Sequence, residues 1–347
     1  MDASHSTNSE IIKKAINGLL GVVEQSRERE IISRRFGISS QKETLEQIGE
    51  MLSITRERVR QLEKAIVIRI KIHAEEGKVD DLVAAEKLII RNLTELGRVA
   101  RVETLAEQIY GHKSTAKERS TLSFIGEVSS QLSVIYDSDR YYHSICIAEY
   151  GDEKTVRAKA DEIVKVVTGY GKPMTVAELD EKLDYQHPDH IAAVANISKQ
   201  LATLGGMWGL AKWPLINPRN IRDKIFVILE GKKAPMHFSE IAKAIAESNF
   251  NRKNVTIQAI HNELIKDKRF VLIGRGIYAL SAWGYSSGTV TDTIKKVLSE
   301  NGGVMERNEI VKQVLKARQV KETTILLNLQ DRAVFNRIDK NKYSIKK

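Results

Sequence analysis

Apolar residues recur at three- and four-residue steps from the start of the chain. Ile11, Ile12, Ala15, Ile16, Leu19, Leu20 and Val23 line one face of an amphipathic helix. A second helix spans Arg27 to Phe36 and stops at Gly37. Thr44, with Gln47 three residues on, is a capping box that opens a short helix with Leu45, Ile48 and Leu52 inward. Ser53 and Ile54 form a tight turn, and a longer helix opens at Thr55 and continues through Val59, Leu62, Ile66 and Ile70. A short helix, a turn with an apolar plug and a longer helix predict a helix-turn-helix. The inward set leaves Arg56, Glu57, Arg60, Gln61 and Lys64 facing out. Arginine forks onto guanine, glutamine pairs with adenine and glutamate accepts from cytosine, so this face suits base reading.

The rest of the chain repeats one plan four times. An apolar helix, a glycine and a short extended stretch lead into a second helix, at Gly97–Leu105, Gly171–Leu179, Gly231–Ile241 and Gly302–Ile310. With Thr104, Glu178, Glu240 and Glu309 equivalent, the steps are 74, 62 and 69 residues. Such uneven steps suit separate small domains rather than a solenoid. A hairpin is expected to close each unit, at Val134–Tyr142, Trp208–Trp213, Phe270–Leu280 and Phe335–Ile345, turning in the third and fourth at Gly274–Gly276 and Asp339–Asn341. Three helices and a hairpin make a winged helix. The expected architecture is mainly α with small β wings: a helix-turn-helix over 1–76, then winged helices over 77–150, 151–217, 218–287 and 288–347.

Charge changes this picture. The 347 residues carry 55 Lys/Arg against 45 Asp/Glu, a net +10. Residues 1–76 sum to +1, 77–215 to −3 and 216–347 to +12, so the excess lies in the last two winged helices. Arg275, Lys340 and Lys342 on the expected wings, with Lys253, Lys266, Lys268 and Arg269, are candidates for DNA phosphate. Residues 77–215 are expected to make protein contacts or act as spacers. A single cysteine, Cys146 in an apolar stretch, excludes an internal disulfide framework and a cysteine-rich zinc site. The N-terminal residues form no signal-peptide core, and no apolar run approaches the roughly 20 residues of a membrane helix.

Two segments carry family resemblances. Arg27–Ile38, Thr44–Gly49 and Ile54–Glu63 together resemble region four of bacterial primary sigma factors, over about a fifth of the chain. The resemblance implies a module that reads the promoter −35 element and docks on the RNA polymerase β flap. It places Arg56, Glu57, Arg60 and Gln61 at base-reading positions, and Thr44 and Leu45 at a phosphate-contacting helix start. Thr55, Arg58 and Lys64 are further phosphate candidates. Where that family continues with basic residues, this chain has apolar Ala65–Ile68, which predicts packing there. Nothing resembles the sigma regions that bind the clamp and melt the −10 element, so a complete sigma factor is not expected. Pro235–Ile241, Phe270–Leu280 and Ser281–Tyr285 resemble the HARE-type winged helix of the polymerase δ subunit, a module also attached to restriction enzymes and chromatin proteins.

No catalytic constellation holds. Gly169–Lys172 lacks the leading glycine of a P-loop, His187–His190 reads as a surface turn, and Asp189 with Glu230 fails as a nuclease pair because Glu230 falls at a helix end. The expectation is a non-enzymatic, cytoplasmic, nucleoid-associated bacterial regulator that binds double-stranded DNA without metal, cofactor or small-molecule substrate, with the RNA polymerase β flap as a further partner. The alternatives are a protein that mimics or occludes sigma region four, and an accessory DNA-binding component of a restriction or defence system.

Overall fold

The computed structural model describes residues 3–39, 41–183, 185, 187–248, 250, 254–285, 288–318 and 320–346. The chain divides into two compact units, Met1–Lys212 and Trp213–Lys347. In the first, α1 (Ala3–Gly21), α2 (Ser26–Phe36), α3 (Leu45–Leu52) and α4 (Arg56–Glu75) follow the predicted periodicity closely. The Thr44 hydroxyl accepts the Gln47 N–H, and the Gln47 side chain accepts the Thr44 N–H in return, which fixes the start of α3. Ser53 adopts a left-handed conformation at the end of α3, and Thr55 caps α4. Gly49 is required by this turn, since a Cβ there would lie 2.7 Å from the Ile54 carbonyl oxygen. Ile31, Ile48 and Val59 form the small core that locks α2, α3 and α4 together.

A second, larger core begins in α1 and runs without interruption past residue 76. It takes Ile12 and Leu19 from α1, Ile32 from α2, and Ile66, Val67 and Ile70 from α4. It continues into α5 (Asp80–Glu95), β1 (Val99–Arg101), α6 (Val102–Tyr110), α7 (Ala116–Val128), β2 (Leu132–Ile135) and β3 (Ser144–Ile147). Phe36 at the end of α2 meets Phe124 of α7 with ring centroids 4.8 Å apart. Of the apolar stretch Ala65–Ile68 predicted to pack, Ile66 and Val67 do so, against the chain's own neighbouring helices, while Ala65 and Ile68 face solvent. Burial of a side chain such as Ile66 contributes about 1.5–3 kcal/mol. The nearby Lys71–Glu127 ion pair (3.0 Å) is partly exposed and belongs to a class worth about 0–1 kcal/mol. Packing, not charge pairing, holds the helix-turn-helix to the first winged helix.

The next winged helix comprises α8 (Glu153–Tyr170), β4 (Met174–Thr175), α9 (Val176–Asp180), α10 (Pro188–Ile197), β5 (Leu201–Leu204) and β6 (Met207–Leu210). It is stitched to its predecessor by main-chain hydrogen bonds, from the Tyr142 N–H to the Ile197 carbonyl and from the Lys199 N–H to the Arg140 carbonyl, each 2.8 Å. Arg101 donates to the Asn196 carbonyl while its guanidinium stacks over Tyr142 at 3.7 Å. At Gly97 (φ +89°) a Cβ would lie 2.6 Å from the Asp189 carbonyl oxygen and 2.8 Å from the Ala193 Cβ. The repeat glycine here is the point at which α10 comes into backbone contact.

In the second unit, α11 (Ile221–Lys232), β7 (Met236–His237), α12 (Phe238–Glu247), α13 (Ile257–Lys266), β8 (Phe270–Gly274) and β9 (Ile277–Leu280) form one winged helix. Another is built from α14 (Val290–Glu300), β10 (Val304–Glu306), α15 (Arg307–Ala317), α16 (Glu322–Leu329), β11 (Phe335–Asp339) and β12 (Lys342–Ile345), around a core confined to its own residues. All four sheets are three-stranded and antiparallel, with the last strand in the middle.

Three expectations need correction. The hairpin expected at Trp208–Trp213 lies earlier, its strands β5 and β6 turning at Gly205 and Gly206. The one expected at Val134–Tyr142 pairs β2 with β3 instead, residues 136–143 connecting them. Gly231, aligned with the repeat glycines, lies inside α11, and the left-handed residue after that helix is Lys233 (φ 52°).

Candidate nucleic-acid interface

The outward face of α4 carries the predicted base-reading group intact. Val59, Ile66, Val67 and Ile70 are buried, which turns Arg56, Glu57, Arg60, Gln61 and Lys64 to solvent. These side chains are organised before any ligand arrives. Arg60 grips the Glu57 carboxylate with two hydrogen bonds, of 2.7 and 2.8 Å, and Gln61 donates to the same group at 3.4 Å. The Arg60 bonds chiefly hold the Glu57 carboxyl below its ordinary range, so it stays an acceptor. Arg58 donates to Gln61, and Arg56 lies 3.9 Å from Glu46. Residues 54–71 carry six Lys/Arg against two Asp/Glu, so this helix is locally basic, and the net of only +1 over residues 1–76 comes from acids elsewhere in the module.

Behind this face the scaffold is fixed by paired charges. Arg35 of α2 reaches Glu63 at 3.1 Å, Arg69 of α4 reaches Glu28 at 2.7 Å, and Arg27 caps the end of α3 at the Leu52 carbonyl. Thr44, Leu45 and Arg56 line one surface hollow with Arg35 and Glu46, which brings two predicted phosphate contacts beside a predicted base reader. The Leu45 side chain packs on the small core, which leaves its backbone N–H at the start of α3 as the candidate phosphate donor. The Thr55 hydroxyl accepts the Arg58 N–H, so its part is to start α4. Lys64 lines a neighbouring hollow with Arg60 and Lys71.

In the second unit Arg275 is exposed at the turn of the β8–β9 wing, and Lys340 and Lys342 on the β11–β12 wing, in two different winged helices. Lys266 and Lys268 are exposed as well. Arg269 is not available: its guanidinium is held by Asp267 (2.7 Å) and Asp223 (3.2 Å), an internal clasp that replaces the expected phosphate contact. Lys253 lies outside the described residues.

The position of the third helix in each winged helix is not legible from charge alone. In the first two winged helices that helix is spent internally. From Glu118 to Ser129, nearly all of α7, no residue is exposed, and α10 exposes only Pro188, Asp189 and Asn196. The available signal is the small, apolar composition of Ile191–Ile197, which marks a helix covered on all sides. In the second unit α13 and α16 are open to solvent on their outer faces.

The remaining sequence candidates take structural places. His187 and Pro188 begin α10, with the His187 ring accepting the Asp189 N–H, a helix start where a surface turn was expected. Gly171 ends α8. Cys146 lies on the central strand β3, its thiol donating to the Gly151 carbonyl and pushed up to about 12 by burial. Among the described residues no group of three His, Cys, Asp or Glu is placed to hold a metal ion, and no helix is long and apolar enough to cross a membrane.

This arrangement defines a DNA-binding protein of the helix-turn-helix class with winged-helix domains. More particularly, residues 25–71 match the family model for Sigma-70, region 4, and residues 220–283 match that for HARE-HTH, the helix-turn-helix domain named after ASXL and restriction endonucleases among others. The first match spans α2 to α4, and the second spans the winged helix that contains α13.

Proposed function

We propose that the chain is a sequence-specific, non-enzymatic transcription regulator in which α4 reads a promoter −35-like element or operator. The observation that carries this reading is the Arg56–Glu57–Arg60–Gln61 face, exposed on a capped helix whose other side is packed into the core of the unit. On meeting DNA, Arg60 exchanges Glu57 for guanine O6 and N7, and the freed carboxylate accepts from a cytosine N4. The exposed wing cations Arg275, Lys340 and Lys342 supply affinity for the backbone without sequence preference.

Docking on the RNA polymerase β flap, as a partner or as a mimic of sigma, is the weaker reading. Ile32, Phe36, Ile66, Val67 and Ile70 are covered by α1, α5 and α7 of the same chain, and among the large apolar residues of α4 only Ile68 and Ile72 are substantially exposed. The direct test is R56A/R60A in the full chain, assayed against sites selected from a random duplex pool. Removing each bidentate pairing should cost about 1–3 kcal/mol of discrimination. Unchanged preference for the selected sites refutes the assignment. Capture of polymerase by a chain that selects no DNA sequence supports the docking reading in its place.

A further inference from the structure

The outer face of α13 carries two amides and an exposed isoleucine. Gln258 and Asn262 are exposed one turn apart, and the Gln258 Nε2 donates to the Asn262 Oδ1 at 3.1 Å. That bond uses one donor and one acceptor. It leaves the Gln258 carbonyl oxygen and the Asn262 NH₂, one turn apart on the exposed face, with no further partner among the described residues. Ile265, 66% exposed, continues the same stripe one turn further on, and Lys266 flanks it. The only acid of α13, Glu263, lies off this stripe and is half-buried. Adenine presents an N6 donor and an N7 acceptor in the major groove, and the paired thymine presents a methyl group. The amide pair and the isoleucine complement these three features.

We propose that α13 is a second base-reading helix, selective for A·T pairs in the major groove of duplex DNA. Lys266, Lys268 and Arg275, exposed in the same winged helix, provide the cations that hold a duplex against it. The corresponding α16 lacks this equipment. It opens at Glu322, carries no basic residue from 322 to 329, and exposes Leu327 (69%) where α13 carries its amides. The target is therefore bipartite, with a guanine-containing part read by α4 and an A·T part read by α13.

This inference rests on the DNA-binding reading, and one experiment separates the two. Full-length wild type, R56A/R60A and Q258A/N262A each select sites from a random duplex pool, with circular dichroism confirming that these surface variants fold. Wild type should enrich a two-part consensus. Q258A/N262A should lose the A·T part and bind the wild-type site at least about fivefold more weakly, while keeping the part that R56A/R60A loses. Uracil in place of thymine in the A·T part should weaken wild type and leave I265A unaffected. If Q258A/N262A enriches the wild-type consensus with unchanged affinity, the inference is overturned. A wild-type consensus containing only the α4 part overturns it and leaves the α4 reading standing, and no consensus at all overturns both.

Discussion

The third helices of the four winged helices have two different fates. In Met1–Lys212, α7 lies under the helix-turn-helix and α10 lies under the preceding winged helix, so the element best shaped to enter a groove serves as mortar. In Trp213–Lys347, α13 and α16 keep an open outer face, and this unit carries a net +12, more than the +10 of the whole chain. Repetition of a fold is thus not repetition of a task. Whether a winged helix can touch DNA depends on what covers its third helix, and that is settled by apolar residues on neighbouring modules.

The largest expected effect tests whether the first unit really shares one core. F124A should destabilise by about 3–5 kcal/mol, and hydrogen exchange should then rise together in α2, α4 and α6. The matched F335A should cost a similar amount within 288–346 only, since Phe335 belongs to a core of that module alone. Separate transitions for α4 and α6 would break the contrast. G97A comes next. The left-handed backbone and the approach of the Asp189 carbonyl predict a loss of about 2 kcal/mol or more by urea unfolding, focused on α10.

K340A/K342A should leave stability alone and lower affinity for all sequences. The slope of log K against log salt should become shallower by about one for each phosphate no longer neutralised. An unaltered slope would remove this wing from the interface. The smallest effect concerns His143, whose pKa is lowered by burial and by Lys42. The folded state disfavours its charged form, so its stabilising contribution is complete above the unfolded value near 6.5 and declines as pH falls through the lowered folded value. H143Q should flatten that acid-side decline in the denaturation midpoint, which a pH series of urea melts would show.

The helix-turn-helix is legible in the sequence almost to the residue, because its capping box, left-handed stop and inward triad are all local signals. Arg56, Glu57, Arg60 and Gln61 are legible for the same reason: the periodicity of Val59, Leu62 and Ile66 determines what remains outside. The wings are less so. Gly205-Gly206 is a strong turn dipeptide and marks the β5–β6 hairpin, but the aromatic run after it draws the expected hairpin too far along the chain. The burial of α7 and α10 depends on contacts between residues far apart in the chain, such as Gly97 with Asp189, which no local pattern encodes. Arg269 looks like a phosphate ligand in sequence because a basic residue in a basic segment says nothing about an aspartate 46 residues away.

The core that runs from α1 to β3 also bears on how such a protein is cut and inherited. Division at residue 76 would strip the cover from Ile66, Val67 and Ile70 and leave a greasy, unstable fragment. The sigma-like portion is therefore no portable cassette, although its motif can be recognised on its own. Exchange between genes, or subcloning at the bench, would have to carry α1 through β3 as one piece, and the clasp at Gly97 argues for carrying α10 as well. The unit that is recognised and the unit that folds have different edges.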